Sequence, residues 1–204
     1  MTPDLFAALV LFAVVASFTP GPNNTMLMAS GANFGLMRSI PHMLGVSAGF
    51  VGLLLGIGLG VGGLFAAWPP LQGLLQVGGA LYLLYLAWKM ATAKGLGGDT
   101  VGARPQTFWQ AAAFQWINPK GWTMALSAFA TYAPKTGYLP AVLTIVAVFA
   151  AVNVPCVLTW TGFGAGLSRW LDRPAVLRAF NVGMAILLVA SLYPLAAVYW
   201  AGRA

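Results

Sequence analysis

The sequence predicts an all-α membrane protein with six transmembrane helices in two inverted three-helix repeats, helices one and four being broken. Three observations predict it. First, of 204 residues 60% are hydrophobic and only 6% charged, with a mean hydropathy of +0.83; a soluble domain of this length would carry roughly a quarter charged residues. Second, there are six long apolar runs, and roughly 20 apolar residues suffice to cross about 30 Å of hydrocarbon as a helix. Third, runs one and four carry similar polar interruptions half a chain apart. The chain reads as one membrane domain, 1–204, with repeat one over about 1–100 and repeat two over about 105–204.

Run one extends from about Leu5 to Met28 and is interrupted by Thr19-Pro20-Gly21-Pro22-Asn23-Asn24. Asp4 and the lack of any Lys or Arg before it predict a first span of the mature protein, since a cleavable signal begins with positive charge. Run two extends from about Met43 to Ala66, ending at Trp68-Pro69-Pro70, and run three from about Leu71 to Ala91. A polar linker from Lys94 to Gln106 contains Gly97-Gly98-Asp99. Run four, about Phe108 to Tyr132, is interrupted at Asn118-Pro119-Lys120. Run five covers about Tyr138 to Gly164 with Asn153 and Pro155 inside, and run six about Arg178 to Trp200. Lipid leaves only helices and closed barrels as spanning structures, and the in–out alternation of barrel strands is absent.

The net charge of +7 follows the loops. Arg38, then Lys89, Lys94 and Arg104, then Arg169, Arg173 and Arg178 follow runs one, three and five, whereas the other side holds Lys135 and Arg203. The positive-inside rule makes the first set cytoplasmic, so both termini face outward. These basic residues are too scattered for nucleic acid. A single cysteine, Cys156, excludes an internal disulfide. Trp68, Trp88, Trp109, Trp170 and Trp200 fall near span ends and suit an interfacial belt; Trp116, Trp122 and Trp160 lie deeper and read as packing residues. His42 reads as an interfacial residue at a helix start, and Asp4 as a marker of the outer boundary. Gly45, Gly49, Gly52, Gly56 and Gly60 share one face of run two, where small residues let backbones approach closely. That face suits packing within a protomer or a homodimer interface. Gly78, Gly79, Gly162 and Gly164 receive the same packing reading.

The chemistry concentrates at the two breaks. Pro20 and Pro22 remove backbone donors and clash with a helical ladder, Gly21 permits unusual dihedrals, and Asn23 and Asn24 supply amides. Freed carbonyls facing lipid are costly, so they must be buried in protein or line a polar cavity. Gln115 to Lys120 repeats the pattern, joining Asn118 and Pro119 to a lysine that should face the bundle interior. Each break lies in the first helix of a three-span half. Halves with an odd number of spans are oppositely oriented, as in transporters whose sites form where corresponding helices are broken. The candidate substrate-binding residues are therefore Pro20, Gly21, Pro22, Asn23, Asn24, Gln115, Asn118, Pro119 and Lys120, with Asn153 added because Pro155 follows it. Asn181 and Cys156 read as packing or interhelical hydrogen-bonding groups. One His, one Cys and three acidic residues, none clustered, offer neither a nucleophile–base pair nor a metal site. No enzyme activity, cofactor or metal is expected. A channel-like or structural multi-pass protein stays as the alternative.

At these residues the sequence resembles the LysE/RhtB family of amino-acid exporters. The matching pieces are Phe18-Thr19-Pro20-Gly21-Pro22-Asn23-Asn24, Gly31-Ala32-Asn33-Phe34-Gly35 leading to Pro41-His42-Met43-Leu44-Gly45, Tyr82-Leu83-Leu84-Tyr85-Leu86-Ala87-Trp88-Lys89, and Phe114-Gln115-Trp116-Ile117-Asn118-Pro119-Lys120. The resemblance covers nearly the whole chain. It implies a six-helix exporter of amino acids or their derivatives in the bacterial inner membrane, coupled to protons, and Phe114-Gln115-Trp116 looks like the cysteine and O-acetylserine branch. Asn23 stands where many members carry Asp, Phe50 in a region where many carry an acidic residue, and Gln76 where many carry Lys. Loss of acidic positions argues against a cationic substrate, and against a metal ion, which needs several oxygen ligands. The expected substrate is a small neutral amino acid of the cysteine, threonine and homoserine class. Its carboxylate would meet Lys120 and the helix N-termini, and its ammonium the freed carbonyls with Asn23 and Asn24. Lys120 is also a candidate proton carrier.

Overall fold

The computed structural model describes residues 1–61, 63, 67–68, 70–92, 104–134, 137–171 and 173–193. All regular structure there is helical. Helix α1 (Pro3–Phe18) starts at Thr2, whose side chain accepts from Leu5 N. It stops where Pro20 and Pro22 make the ladder impossible. Helix α2 (Pro22–Arg38) restarts with Pro22 in the first turn, where a missing N–H costs nothing. The two axes are bent by 55°. Helix α3 (Ile40–Gly56) runs on as a π turn, Ile57–Val61. Helix α4 is Pro70–Ala91. Helix α5 (Phe108–Gln115) opens with a reciprocal capping box between Thr107 and Gln110. Helix α6 (Pro119–Tyr132) is capped by Asn118, whose side chain accepts from Lys120 N. Helix α7 (Tyr138–Leu167) carries Pro155 and continues as a 3-10 turn, Ser168–Trp170. Helix α8 is Pro174–Ala190.

Among the described residues, Ile40–Val61, Gly73–Ala91 and Tyr138–Trp170 are each long and apolar enough to cross a bilayer, and α1 with α2 meets the same length and composition only when the bent pair is taken together. The break in run four falls where expected, between Gln115 and Pro119. Run one differs: its second half does not end near Met28 but continues as helix to Phe34, breaks at Gly35 (φ 77°, ψ 170°) and resumes for a short stretch to Arg38. The reason is that Gly31 and Gly164 let α2 lie directly on α7, Gly31 against the Thr161 carbonyl and Gly164 against that of Met28. Lys94, Gly97, Gly98, Asp99, Pro69, Lys135, Trp200 and Arg203 lie outside the described residues, as does the end expected for run two at Ala66.

Helix α2 packs most extensively on α7, α3 on α5, and α4 on α8. Small residues make these approaches. Gly45 meets the Phe108 carbonyl, Gly49 the backbone of Ala112, Gly56 the ring of Trp116, and Gly79 the Ile117 carbonyl. Packing within the protomer does not account for Gly52, Gly60, Gly78 and Gly162, around which an added Cβ would meet nothing within 4 Å. Gly60 instead serves the π turn, at φ 107°, a conformation glycine adopts without steric cost. The largest apolar cluster joins α1, α3, α6 and α7 through Leu9, Phe50, Leu53, Phe129, Ile145 and Phe149. A second joins α2, α4, α5 and α8 through Met26, Leu83, Phe114 and Leu188. Leu11, Leu81, Leu143, Phe163 and Ile186 point outward, more than half exposed, as side chains facing acyl chains would. Trp68, Trp88, Trp109 and Trp170 are likewise exposed near helix ends.

Candidate functional site

The two breaks meet. Asn23, in the first turn of α2, and Gln115, at the end of α5, exchange hydrogen bonds: Asn23 Nδ2 donates to Gln115 Oε1 at 2.7 Å and Gln115 Nε2 donates to Asn23 Oδ1 at 3.0 Å. Gln115 Nε2 also donates to the Ala111 carbonyl at 2.9 Å, which fixes the amide. The side chain of Lys120, in the first turn of α6, crosses to the other break and donates from Nζ to the Thr19 carbonyl.

The carbonyls that end α1 have no helical partner, and side chains from other elements satisfy them. Asn24 Nδ2 donates to the Ser17 carbonyl at 2.8 Å and to that of Thr19 at 2.9 Å. The Cys156 thiol, on α7, donates to the Ser17 carbonyl at 3.3 Å. Thus the negative end of the α1 dipole is aimed at the Lys120 ammonium. The N-termini of α2 and α6 open at the same place. That of α2 has Gly21 as its cap, with no side chain accepting from the first turn.

Gly21 is needed for a reason other than dihedral freedom. Its backbone is extended, φ 178° and ψ −178°, which any residue adopts. An added Cβ would meet Lys120 Cδ at 2.8 Å and Nζ at 3.1 Å. Glycine here leaves room for the lysine.

A cavity of about 30 Å³ lies between the breaks, lined by Ser17, Gly21, Asn23, Asn24, Asn118 and Lys120 on one side and by Val46, Phe50, Gly121, Met124, Asn153, Cys156 and Val157 on the other. That volume holds a water or two, so the site is contracted in this conformation. Asn153 Oδ1 accepts from Ser47 Oγ at 2.6 Å, tying α3 to α7 at the cavity wall. Of the expected site residues, Gly21, Asn23, Asn24, Asn118, Lys120 and Asn153 line the cavity. Pro20, Pro22, Gln115 and Pro119 do not; they shape the breaks or stand behind Asn23. Sequence reasoning missed Ser17, Val46, Phe50, Gly121, Met124 and Val157, and read Cys156 as a packing or hydrogen-bonding group only. Only Val46 and Phe50, four residues apart beside the glycine face of α3, left a periodic signal.

His42 is enclosed by protein: it is 1% exposed, and neither ring nitrogen has a hydrogen-bond partner. Helix α3 packs chiefly on α5 and α7, and less on α2. Asn181 pairs with Asn33 across α8 and α2, Asn33 Nδ2 donating to Asn181 Oδ1 at 3.0 Å, as expected of an interhelical group. Among the described residues no group of His, Cys, Asp and Glu could hold a metal ion.

Comparison with known proteins bears on this arrangement. The family described as LysE type translocator matches residues 14–192. Cysteine/O-acetylserine efflux proteins of Escherichia coli (strain K12) and of Shigella sonnei (strain Ss046) are each 31% identical over 191 residues, 93% of this chain and 96% of theirs. That of Escherichia coli O139:H28 (strain E24377A / ETEC) is 30% identical over the same span. No solved structure matches.

Proposed function

Because the chain belongs to the LysE type translocator family, we propose that it is a secondary transporter exporting small neutral amino acids or their derivatives, of the cysteine, threonine and homoserine class, across the bacterial inner membrane. Six spans form two inverted three-helix halves, with the cytoplasmic side marked by Arg38, Arg169, Arg173 and Arg178 and both termini outward. Proton entry drives export.

The observation that carries this reading is the hydrogen bond from Lys120 Nζ to the Thr19 carbonyl. It is a cation held against a helix-end carbonyl, with a second carbonyl, Ser17, alongside. A zwitterionic amino acid carries the complement of both. Its carboxylate takes the ammonium and the N–H groups that open α2 and α6. Its ammonium takes the carbonyls of Ser17 and Thr19. Without substrate the ammonium is held by the Thr19 carbonyl and the Ser17 carbonyl by Asn24 and Cys156, so neither the charge nor these carbonyls are stranded in a low-dielectric interior. No carboxylate is among the cavity-lining residues, which disfavours a substrate with a second positive charge. Names of the relatives support the substrate class, since those proteins are cysteine/O-acetylserine efflux proteins.

The test is expression of the chain in cells challenged with inhibitory concentrations of single amino acids, followed by counterflow in proteoliposomes. Relief by neutral polar amino acids, with exchange of labelled substrate, is expected. Downhill flux without exchange would show a channel instead.

A further inference from the structure

Four side chains outside the cavity lining carry a buried polar atom with no hydrogen-bond partner: Gln106 (Oε1), just before α5, and His42 (both ring nitrogens), Trp160 (Nε1) and Thr161 (Oγ1), on the facing helices α3 and α7. His42 is 1% exposed and Thr161 is not exposed at all. A buried donor or acceptor left unmade costs about 1–3 kcal/mol, and such groups in a native protein call for water, an ion or a function. The positions of the last three are not independent. The cavity wall includes Val46 on α3 and Val157 on α7. His42 lies one helical turn before Val46, and Thr161 one turn after Val157, about 6 Å along each axis. Helices α3 and α7 run antiparallel here: Ser47 binds Asn153, while Met43 and Ile40 share an apolar cluster with Val157 and Trp160. One turn back on α3 and one turn on along α7 are therefore the same direction, toward Arg38 and the turn carrying Arg169.

We infer that His42, Trp160 and Thr161 form a second polar site, one helical turn from the central cavity on the Arg38 side, which takes a proton from the cavity side and releases it to water when the Arg38 side of the bundle opens. The inference rests on the transporter reading above. Histidine is the side chain whose ordinary titration lies nearest neutral pH. The elements packed on α3 bring few other charged or titratable groups: Arg38 on α2, none on α5, Lys120 and Tyr132 on α6, Tyr138 and Cys156 on α7. No carboxylate is among their described residues. The step is a simple one. An O–H bond of a hydronium ion arriving from the cavity breaks as its proton passes to an imidazole nitrogen lone pair, and the N–H bond so formed breaks when cytoplasmic water takes the proton away as hydronium. Trp160 Nε1 donates to that water and Thr161 Oγ1 accepts from it, or donates in turn. The apolar layer of Leu27, Met43, Val46 and Val157 separates this site from the cavity in the closed conformation.

The test uses purified full-length chain in proteoliposomes, with labelled cysteine-class amino acid. An acid-interior gradient of one pH unit can drive up to about tenfold accumulation for one coupled proton. His42→Gln should abolish that accumulation while leaving gradient-free counterflow within about threefold. Retained accumulation overturns the proposal, as does loss of both readouts in a monodisperse chain. If His42→Gln misfolds, Thr161→Cys in a Cys156→Ser chain decides, read only by labelling with a water-soluble thiol reagent in inside-out vesicles. Labelling supports the site, and no labelling overturns it. An unaltered chain that exchanges no amino acid sinks the proposed function. An unaltered chain that exchanges amino acid but accumulates none under the pH gradient sinks the second site together with the proton coupling, and leaves the carrier reading standing.

Discussion

Lys120 reaches its carbonyl along a flexible four-carbon stem, and two neighbours set where the ammonium ends. Gly21 leaves space for the stem, and Thr19 receives the head. Lys120→Gln removes the charge that recognises a carboxylate, so export of a cysteine-class amino acid should fall by about ten- to a hundredfold, the loss expected when a charge-assisted hydrogen bond goes; efflux from preloaded cells, corrected for membrane-inserted protein, measures it. Gly21→Ala is a subtler probe. The colliding group is the end of a flexible side chain, so the lysine moves and the helices stay. The melting temperature should change little, within the about 0.5 kcal/mol of a surface substitution, while export drops. A large fall in melting temperature with retained export would show that the glycine serves the backbone instead. The lysine and the glycine were both visible in the sequence, but the reason for the glycine was not. Dihedral freedom is a local argument, and the contact that demands glycine comes from a residue 99 positions away.

At the scale of elements, two joints hold the broken helices. One is the reciprocal amide pair of Asn23 and Gln115. Asn23→Leu or Gln115→Leu strands the partner amide and should each cost about 1–3 kcal/mol. The double variant should be less damaging than the sum, with a coupling of about 1 kcal/mol in thermal or denaturant unfolding. Strict additivity would mean the amides are not partners. The other joint is the glycine contact between α2 and α7. Gly164→Leu should drive α7 off the Met28 carbonyl and reduce the yield of folded protein by more than any of these substitutions, read by fluorescence-detected size exclusion. The matched interruptions of runs one and four were legible because proline and asparagine in an apolar run have one physical reading, a ladder that cannot continue. The extension of α2 to Arg38 was not legible. Its residues, Ser30 to Arg38, are polar enough to read as a loop, and only the glycines that seat them on α7 make burial of that backbone favourable.

For the molecule as a whole, the arrangement places one contracted cavity between the ends of three helix segments, with packed glycine contacts on α2, α3 and α7 around it. A rigid frame with a small polar centre suits a carrier that rocks about its site. The composition announced the membrane, and the charge pattern announced an orientation. The cavity's far wall was hidden, because Val46, Phe50, Met124 and Val157 are apolar residues in apolar helices and differ from lipid-facing ones only in what they touch. The claim on which the rest depends is that the carboxylate of the substrate replaces the Thr19 carbonyl as the partner of Lys120. It is tested most directly by equilibrium binding of labelled cysteine-class amino acid to purified protein, in competition with the free acid and with its carboxamide. The unaltered chain should prefer the acid by at least about tenfold, roughly 1.4 kcal/mol, and Lys120→Gln should abolish that preference. An undiminished preference for the acid in folded Lys120→Gln would contradict the account.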